Sequence, residues 1–204
     1  MMDAKDLYVE PYHPVVPRMK RDYRGYARHY TRTQRPPKYY FIDFGLSRRY
    51  DAQEDNPLEY PIFGGDKSVP EFQNSTDIPL NPFPTDVYYL GNAIKQEFLD
   101  VSMFYTGLLR LIAYYQIKSK KGFEFLKPLV DDMVQNDPKS RPTMNVVVER
   151  FDTIRQQLSS WKLRSRVIAR NEDIFETVYR SAAHWRRRIG FIVKRAPAVP
   201  RLQE

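Results

Sequence analysis

The hydrophobic positions change period along the chain, and the change divides it. "LYVEPYHPVVP" at 7–17 is punctuated by Pro11, Pro14 and Pro17, which fix φ and remove backbone donors, so an extended run is expected there. "YYFI" at 39–42 is a short apolar run and reads as a buried strand. Residues 46–85 hold Pro57, Pro61, Pro70, Pro79, Pro82 and Pro84 with Gly64 and Gly65, which predicts long loops. Helical spacing follows. Val87, Leu90, Ile94 and Phe98 share one face of "TDVYYLGNAIKQEFL", with Asp86 placed to cap it. "VSMFYTGLLRLIAYYQI" is apolar nearly all round, as a buried helix is. "GFEFLKPLVDDMV" predicts a helix entered from Gly122 and perturbed near Pro128. In "RPTMNVVVERFDTIRQQL", Thr143 is the expected cap and Met144, Val147, Phe151, Ile154 and Leu158 form the apolar face. "NEDIFETVYRSAAHWRRRI" gives a last helix with acids first and bases last, as the helix dipole favours, and "APAVPR" is expected to be disordered.

Composition narrows the chemistry. Apolar residues make up 42% of the 204, enough for one substantial core. With no cysteine there is no disulfide, thiolate zinc site or thiol nucleophile, and His13, His29 and His184 lie too far apart for metal-ligand spacing. The beginning "MMDAKDLYVE" lacks signal-peptide features and no run has the length of a membrane span, so a soluble intracellular protein of the cytoplasm is the expectation. Charge is uneven: residues 1–50 carry 11 Lys/Arg against 5 Asp/Glu, 51–160 carry 11 against 16, and 161–204 carry 11 against 4. Residues 18–38 alone hold eight basic residues and one acid, with Tyr23, Tyr26 and Tyr30 among them, and are expected to form an exposed loop or a short, poorly buried helix. Such a block, with the tail "HWRRRIGFIVKR", has the charge and rings to hold RNA, but a charged loop is usually a solvated face, so a nucleic-acid partner is not expected.

One succession of short motifs stands out: "DFG" at 43–45, "VPEF" at 69–72, "DVYYLG" at 86–91 and "NDPKSRPT" at 136–143. In this order they resemble the C-terminal, helical lobe of the protein kinase family over about residues 40–158. The resemblance implies a mainly α fold with a short β-hairpin near the N-terminus, an incomplete kinase-like lobe over 1–160 with an activation segment at 43–71 and a basic insertion at 18–38, and a basic tail over 161–204. It also implies site roles. Asp43 would present a carboxylate to Mg²⁺ on ATP, with Phe44 packed inward and Gly45 permitting the turn. Glu71 and Arg141 would form a buried ion pair, and Asp86, beyond capping its helix, would bond to the backbone of the catalytic loop.

The chain departs from the family in ways that bear on activity. A kinase places its Gly-rich loop, its Lys/Glu pair and its His-Arg-Asp-x-x-x-x-Asn loop before Asp-Phe-Gly, and the 42 residues before Asp43 contain none of them. "MMDAKDLYV" resembles the strand that follows the catalytic Asn, which would make Met1 an internal methionine of a longer kinase; an ordinary start codon is the alternative. Gly64 stands where Ser/Thr kinases commonly carry a Thr, and Ser47, Tyr50, Tyr60 and Ser68 are the candidate phosphosites. The expected function is therefore the C-terminal part of an ATP- and Mg²⁺-dependent protein kinase, not competent by itself, whose partner is a protein substrate or docking protein; a pseudokinase-like binding module is the alternative. Apolar residues on the helices after Asp86 are expected to be exposed, with marginal stability as the consequence.

Overall fold

The computed structural model describes residues 1–51, 56–62, 66–73, 78–100, 120–170 and 172–199. The apolar stretch 101–117 and Gly64 lie outside them, as does the end of the tail from residue 200. The described fold is mainly helical. It divides into two compact units, residues 1–47 with 185–204, and residues 48–184. Residue 160, where the sequence reading ends the kinase-like part, lies inside the second unit at the start of a short helix, Ser160–Leu163.

In the first unit the N-terminal residues fold as nested antiparallel arms joined by single bridges, Met2 with Tyr39, Tyr8 with His29, Tyr12 with Lys20 and Met19 with Tyr26. Prolines keep the arms from forming a continuous ladder. The inner turn reverses at Tyr23 and Gly25, both at positive φ (60° and 97°), a region glycine enters without strain. Leu7 and Ala27 are buried between the arms, and Glu10 holds Lys20 and Arg28 at 3.3 and 3.4 Å. The basic, Tyr-rich block is thus the returning arm and not a helix. The expected N-terminal hairpin exists only as these bridges.

"YYFI" is not a buried strand. Tyr39 bridges Met2, but Phe41 is 92% exposed and Tyr40 and Ile42 are exposed too. A buried strand needs pairing along its length; among the described residues this run receives only the first residues of the chain, through Asp3 N–H to the Lys38 carbonyl and Tyr40 N–H to that of Met1.

The second unit contains the core. Helix α1 (Pro82–Ile94) begins four residues before the expected Asp86, because Asn81 caps it by accepting from the Phe83 N–H at 2.9 Å. Pro82 occupies the first helical position, where its lacking N–H costs nothing. Asp86 is consequently inside the helix. A five-residue π-helical turn, Lys95–Leu99, extends α1, and Phe98 meets Phe123 with ring centroids 5.0 Å apart. Helix α2 (Lys127–Met133) follows a 3-10 turn at Glu124–Leu126, and Pro128 lies in its first turn, so it starts the helix without perturbing it. Helix α3 (Met144–Gln157) has Thr143 at its N-cap as expected, although the hydroxyl makes no capping bond.

Val87, Leu129, Met133 and Val147 form the buried cluster, with Ile154 packed against it. Gly91 allows α1 to approach α2 closely: a Cβ there would stand 2.7 Å from Met133 Cβ. The face α1 buries is rotated from the predicted one. Thr85, Val87, Tyr88, Gly91 and Asn92 are buried while Leu90 is exposed, because the helix meets a polar segment on one side. On α3, Val147 is buried but Met144 and Phe151 stay exposed.

Beyond α3, Ser159 caps the short helix α4 (Ser160–Leu163). A two-stranded antiparallel sheet pairs β1 (Lys120–Lys121) with β2 (Ile168–Ala169), in the register Lys120 to Ala169 and Lys121 to Ile168. Helix α5 runs from Ile174 to Val193, where the last helix was expected.

Candidate functional site

Among the described residues the most highly connected polar cluster joins three pieces of the second unit: the segment 66–73, the first half of α1, and the turn 135–141 before α3. Pro70–Phe72 is a single 3-10 turn that sets Glu71 toward α1, while Val69, fully buried, anchors its start. On the other side, Asp137 accepts from the Lys139 N–H at 3.0 Å and from the Ser140 hydroxyl at 3.0 Å, fixing the turn that delivers Arg141.

Arg141 and Glu71, 70 residues apart, meet fork to fork. The two guanidinium nitrogens donate to Oε1 and Oε2 at 2.8 and 2.7 Å, with the side chains 0% and 8% exposed respectively. The guanidinium also donates to the carbonyls of Gln135 at 2.8 Å, Pro84 at 3.0 Å and Asn136 at 3.4 Å, and lies 4.9 Å from the centroid of the Tyr88 ring. Thr85 Oγ1 donates to Glu71 Oε1 at 3.1 Å. Burial pushes the Glu71 carboxyl up, but the hydrogen bonds from Arg141, its own backbone N–H and Thr85, with the Arg141 charge, hold it below its ordinary value.

A second set of bonds extends the cluster along α1. Tyr88 donates to the Ser68 carbonyl at 3.0 Å; the Ser68 hydroxyl donates to Asp66 at 2.7 Å; and Asn92 donates to Asp66 and, at 3.0 Å, to Ser68 Oγ. Burial raises the Asp66 carboxyl, and the bonds from Asn92 and from the backbone and hydroxyl of Ser68 bring it below its ordinary value. Sequence reading missed Asp66, Thr85, Tyr88 and Asn92 as partners and gave Ser68 only as a phosphosite. Their signal was present: Thr85, Tyr88 and Asn92 recur at helical spacing beside Val87 and Gly91, a polar stripe next to the apolar one.

Asp86 makes none of these hydrogen bonds. It is exposed as a residue, yet its carboxyl is crowded enough that desolvation raises it above its ordinary value, and among the described residues no donor reaches it.

Asp43 belongs to the first unit. It adopts the left-handed region itself, φ 64° and ψ 63°, ahead of a 3-10 turn at Phe44–Leu46, so the strained position of the turn falls on Asp43 and not on Gly45. Phe44 is 66% exposed and does not pack inward. No group of three or more His, Cys, Asp or Glu that could hold a metal occurs among the described residues. Mg²⁺ on a nucleotide needs carboxylates together with a cradle for the phosphates, and Asp43 alone supplies one carboxylate and no cradle. The described residues around Asp43 thus do not by themselves make up a Mg²⁺–ATP site. Among the described residues no helix is long and apolar enough to cross a membrane.

No protein-family model, curated protein or solved structure matches the chain.

Proposed function

We propose that residues 40–158 are the helical part of a protein-kinase-type domain, whose transfer of the ATP γ-phosphoryl to a protein hydroxyl belongs to a longer polypeptide, and that this part by itself binds protein and does not catalyse. The observation that carries the reading is the Glu71–Arg141 pair. A fork-to-fork ion pair with side chains 0% and 8% exposed, spanning 70 residues and joining the end of an activation-type segment to the turn before a helix, is the arrangement that the motif resemblance implies. Asp86 adds support: a desolvated carboxylate without a donor among the described residues suits one that accepts from a backbone segment supplied elsewhere.

The test is the native transcript. In-frame codons for His-Arg-Asp-x-x-x-x-Asn shortly before Met1 are the expected result; an in-frame stop immediately ahead of Met1 would overturn the catalytic half of the proposal and leave a binding module. Purified 204-residue chain is expected to transfer no phosphate from ATP to a generic protein substrate, and activity abolished by Asp43→Asn would contradict this reading.

A further inference from the structure

Helix α5 buries the wrong side of itself. At about 100° per residue, Ile174, Phe175, Val178, Tyr179, Trp185, Ile189, Ile192 and Val193 fall within an arc of roughly 140°. All of them are exposed, from 44% at Trp185 to 85% at Phe175. Arg188, just past one edge of this arc with its guanidinium 5.0 Å from the Trp185 ring centroid, is 5% exposed, and Thr177, Ser181 and His184 are half-buried in the same stripe. A helix stable in water buries its apolar face. Here that face is turned outward along a helix of about 30 Å, a patch of the kind that marks an interaction surface.

Charge says what covers it. The segment 174–195 carries Arg180, Arg186, Arg187, Arg188, Lys194 and Arg195 against the single acid Glu176. Among the described residues Arg186, Arg187, Lys194 and Arg195 have no carboxylate partner, whereas Arg180 is paired with Glu172 and Glu176. Arg186 sits on the rim of the apolar arc, and Arg187 and Lys194 lie on the polar side behind it. A second copy of the helix would offer these cations only Glu176, which is already paired with Arg180, so docking of two copies would leave them unneutralised. An anionic lipid surface neutralises them all at once while the rings of Phe175 and Trp185 enter the boundary between headgroups and acyl chains.

We infer that α5 is an interfacial membrane-binding helix that lies in the plane of an anionic bilayer with its apolar arc inserted. The inference is independent of the kinase reading, since it concerns residues outside 40–158.

The experiment is flotation of the full chain with vesicles of phosphatidylcholine alone and of phosphatidylcholine with phosphatidylserine. The chain should float with the anionic vesicles and not with the neutral ones, and binding should fall as salt rises. Val178→Asp with Ile189→Asp should abolish flotation; both sites are exposed, so circular dichroism should be unchanged. Arg186→Gln with Arg187→Gln should weaken binding about 25-fold, from about five-fold for each charge, equivalent to about 1 kcal/mol apiece. In a Trp161→Phe background, Trp185 emission should shift to the blue on anionic vesicles. No flotation with anionic vesicles, equal flotation of the Asp variants, or a dimer in light scattering that the Asp variants dissociate without any vesicle binding would each overturn the inference.

Discussion

Removing Glu71 tests whether the clasp between segment 66–73 and Arg141 supports the second unit. In Glu71→Ala the guanidinium, 0% exposed, loses both carboxylate bonds but keeps the carbonyls of Gln135, Pro84 and Asn136. Breaking a buried pair costs about 3–5 kcal/mol, and the three remaining acceptors place this variant near the lower end. Arg141→Met is the harsher change, at about 4–5 kcal/mol, because Glu71 is left with only the Thr85 hydroxyl and its own backbone N–H while the three carbonyls lose their donor. The double variant leaves no buried charge unpaired. Its cost should not exceed that of Arg141→Met, which makes the coupling energy at least the cost of Glu71→Ala, about 3 kcal/mol. Urea unfolding followed by far-ultraviolet circular dichroism measures all four corners of the cycle, and a domain stable by about 5–15 kcal/mol gives enough range. The parent should also lose this contribution as pH falls below 4.5, the ordinary value beneath which the lowered Glu71 carboxyl finally takes up its proton. Single variants within about 0.5 kcal/mol of the parent, or a double variant equal to their sum, would refute the reasoning.

Two further outcomes follow from neighbouring residues. Because desolvation raises the Asp86 carboxyl above its ordinary 3.8, the folded state holds a proton there that the unfolded state has released, and stability falls as pH rises through that interval. Asp86→Asn should therefore melt higher than the parent at neutral pH, with the gap closing below pH 3.8; a variant that melts lower at neutral pH would contradict the assignment. Gly91→Ala sets a methyl 2.7 Å from Met133 Cβ and should cost about 1–3 kcal/mol by forcing α1 from α2, checked by the same urea titration; a change under about 0.5 kcal/mol would mean the two helices are not so closely apposed.

How much of this was legible depended on whether the signal was local. Thr143 at the start of α3 and the reach of α5 follow from caps and periodicity alone. Asn81 did not announce itself, because Pro82 and Pro84 made its surroundings look like loop, although Asn followed by Pro is a good helix start. "YYFI" misled for the opposite reason: a strand is made by its neighbours, and apolar content says nothing about whether any pair with it. Glu71 and Arg141 came from motif order, whereas the bonds among Asp66, Ser68, Tyr88 and Asn92 depend on how α1 is rotated, which a stripe of Val87, Leu90, Ile94 and Phe98 placed incorrectly. The outward apolar face of α5 is written in the sequence, but only the structure gives its exposure.

The Gly91–Met133 approach and the Glu71–Arg141 clasp also differ in when they can form. The clasp closes a loop of 70 residues, and its donor geometry requires the Pro84 carbonyl of α1 and the turn after α2 to be already in place. Loop closure of that length yields no enthalpy until the end points meet, so the clasp is a late event on the folding path, after α1 and α2 have docked. Weakening it should steepen the rate at which the native state opens while leaving the rate of folding nearly unchanged, so that the ion pair governs how long the fold lasts more than how fast it arrives.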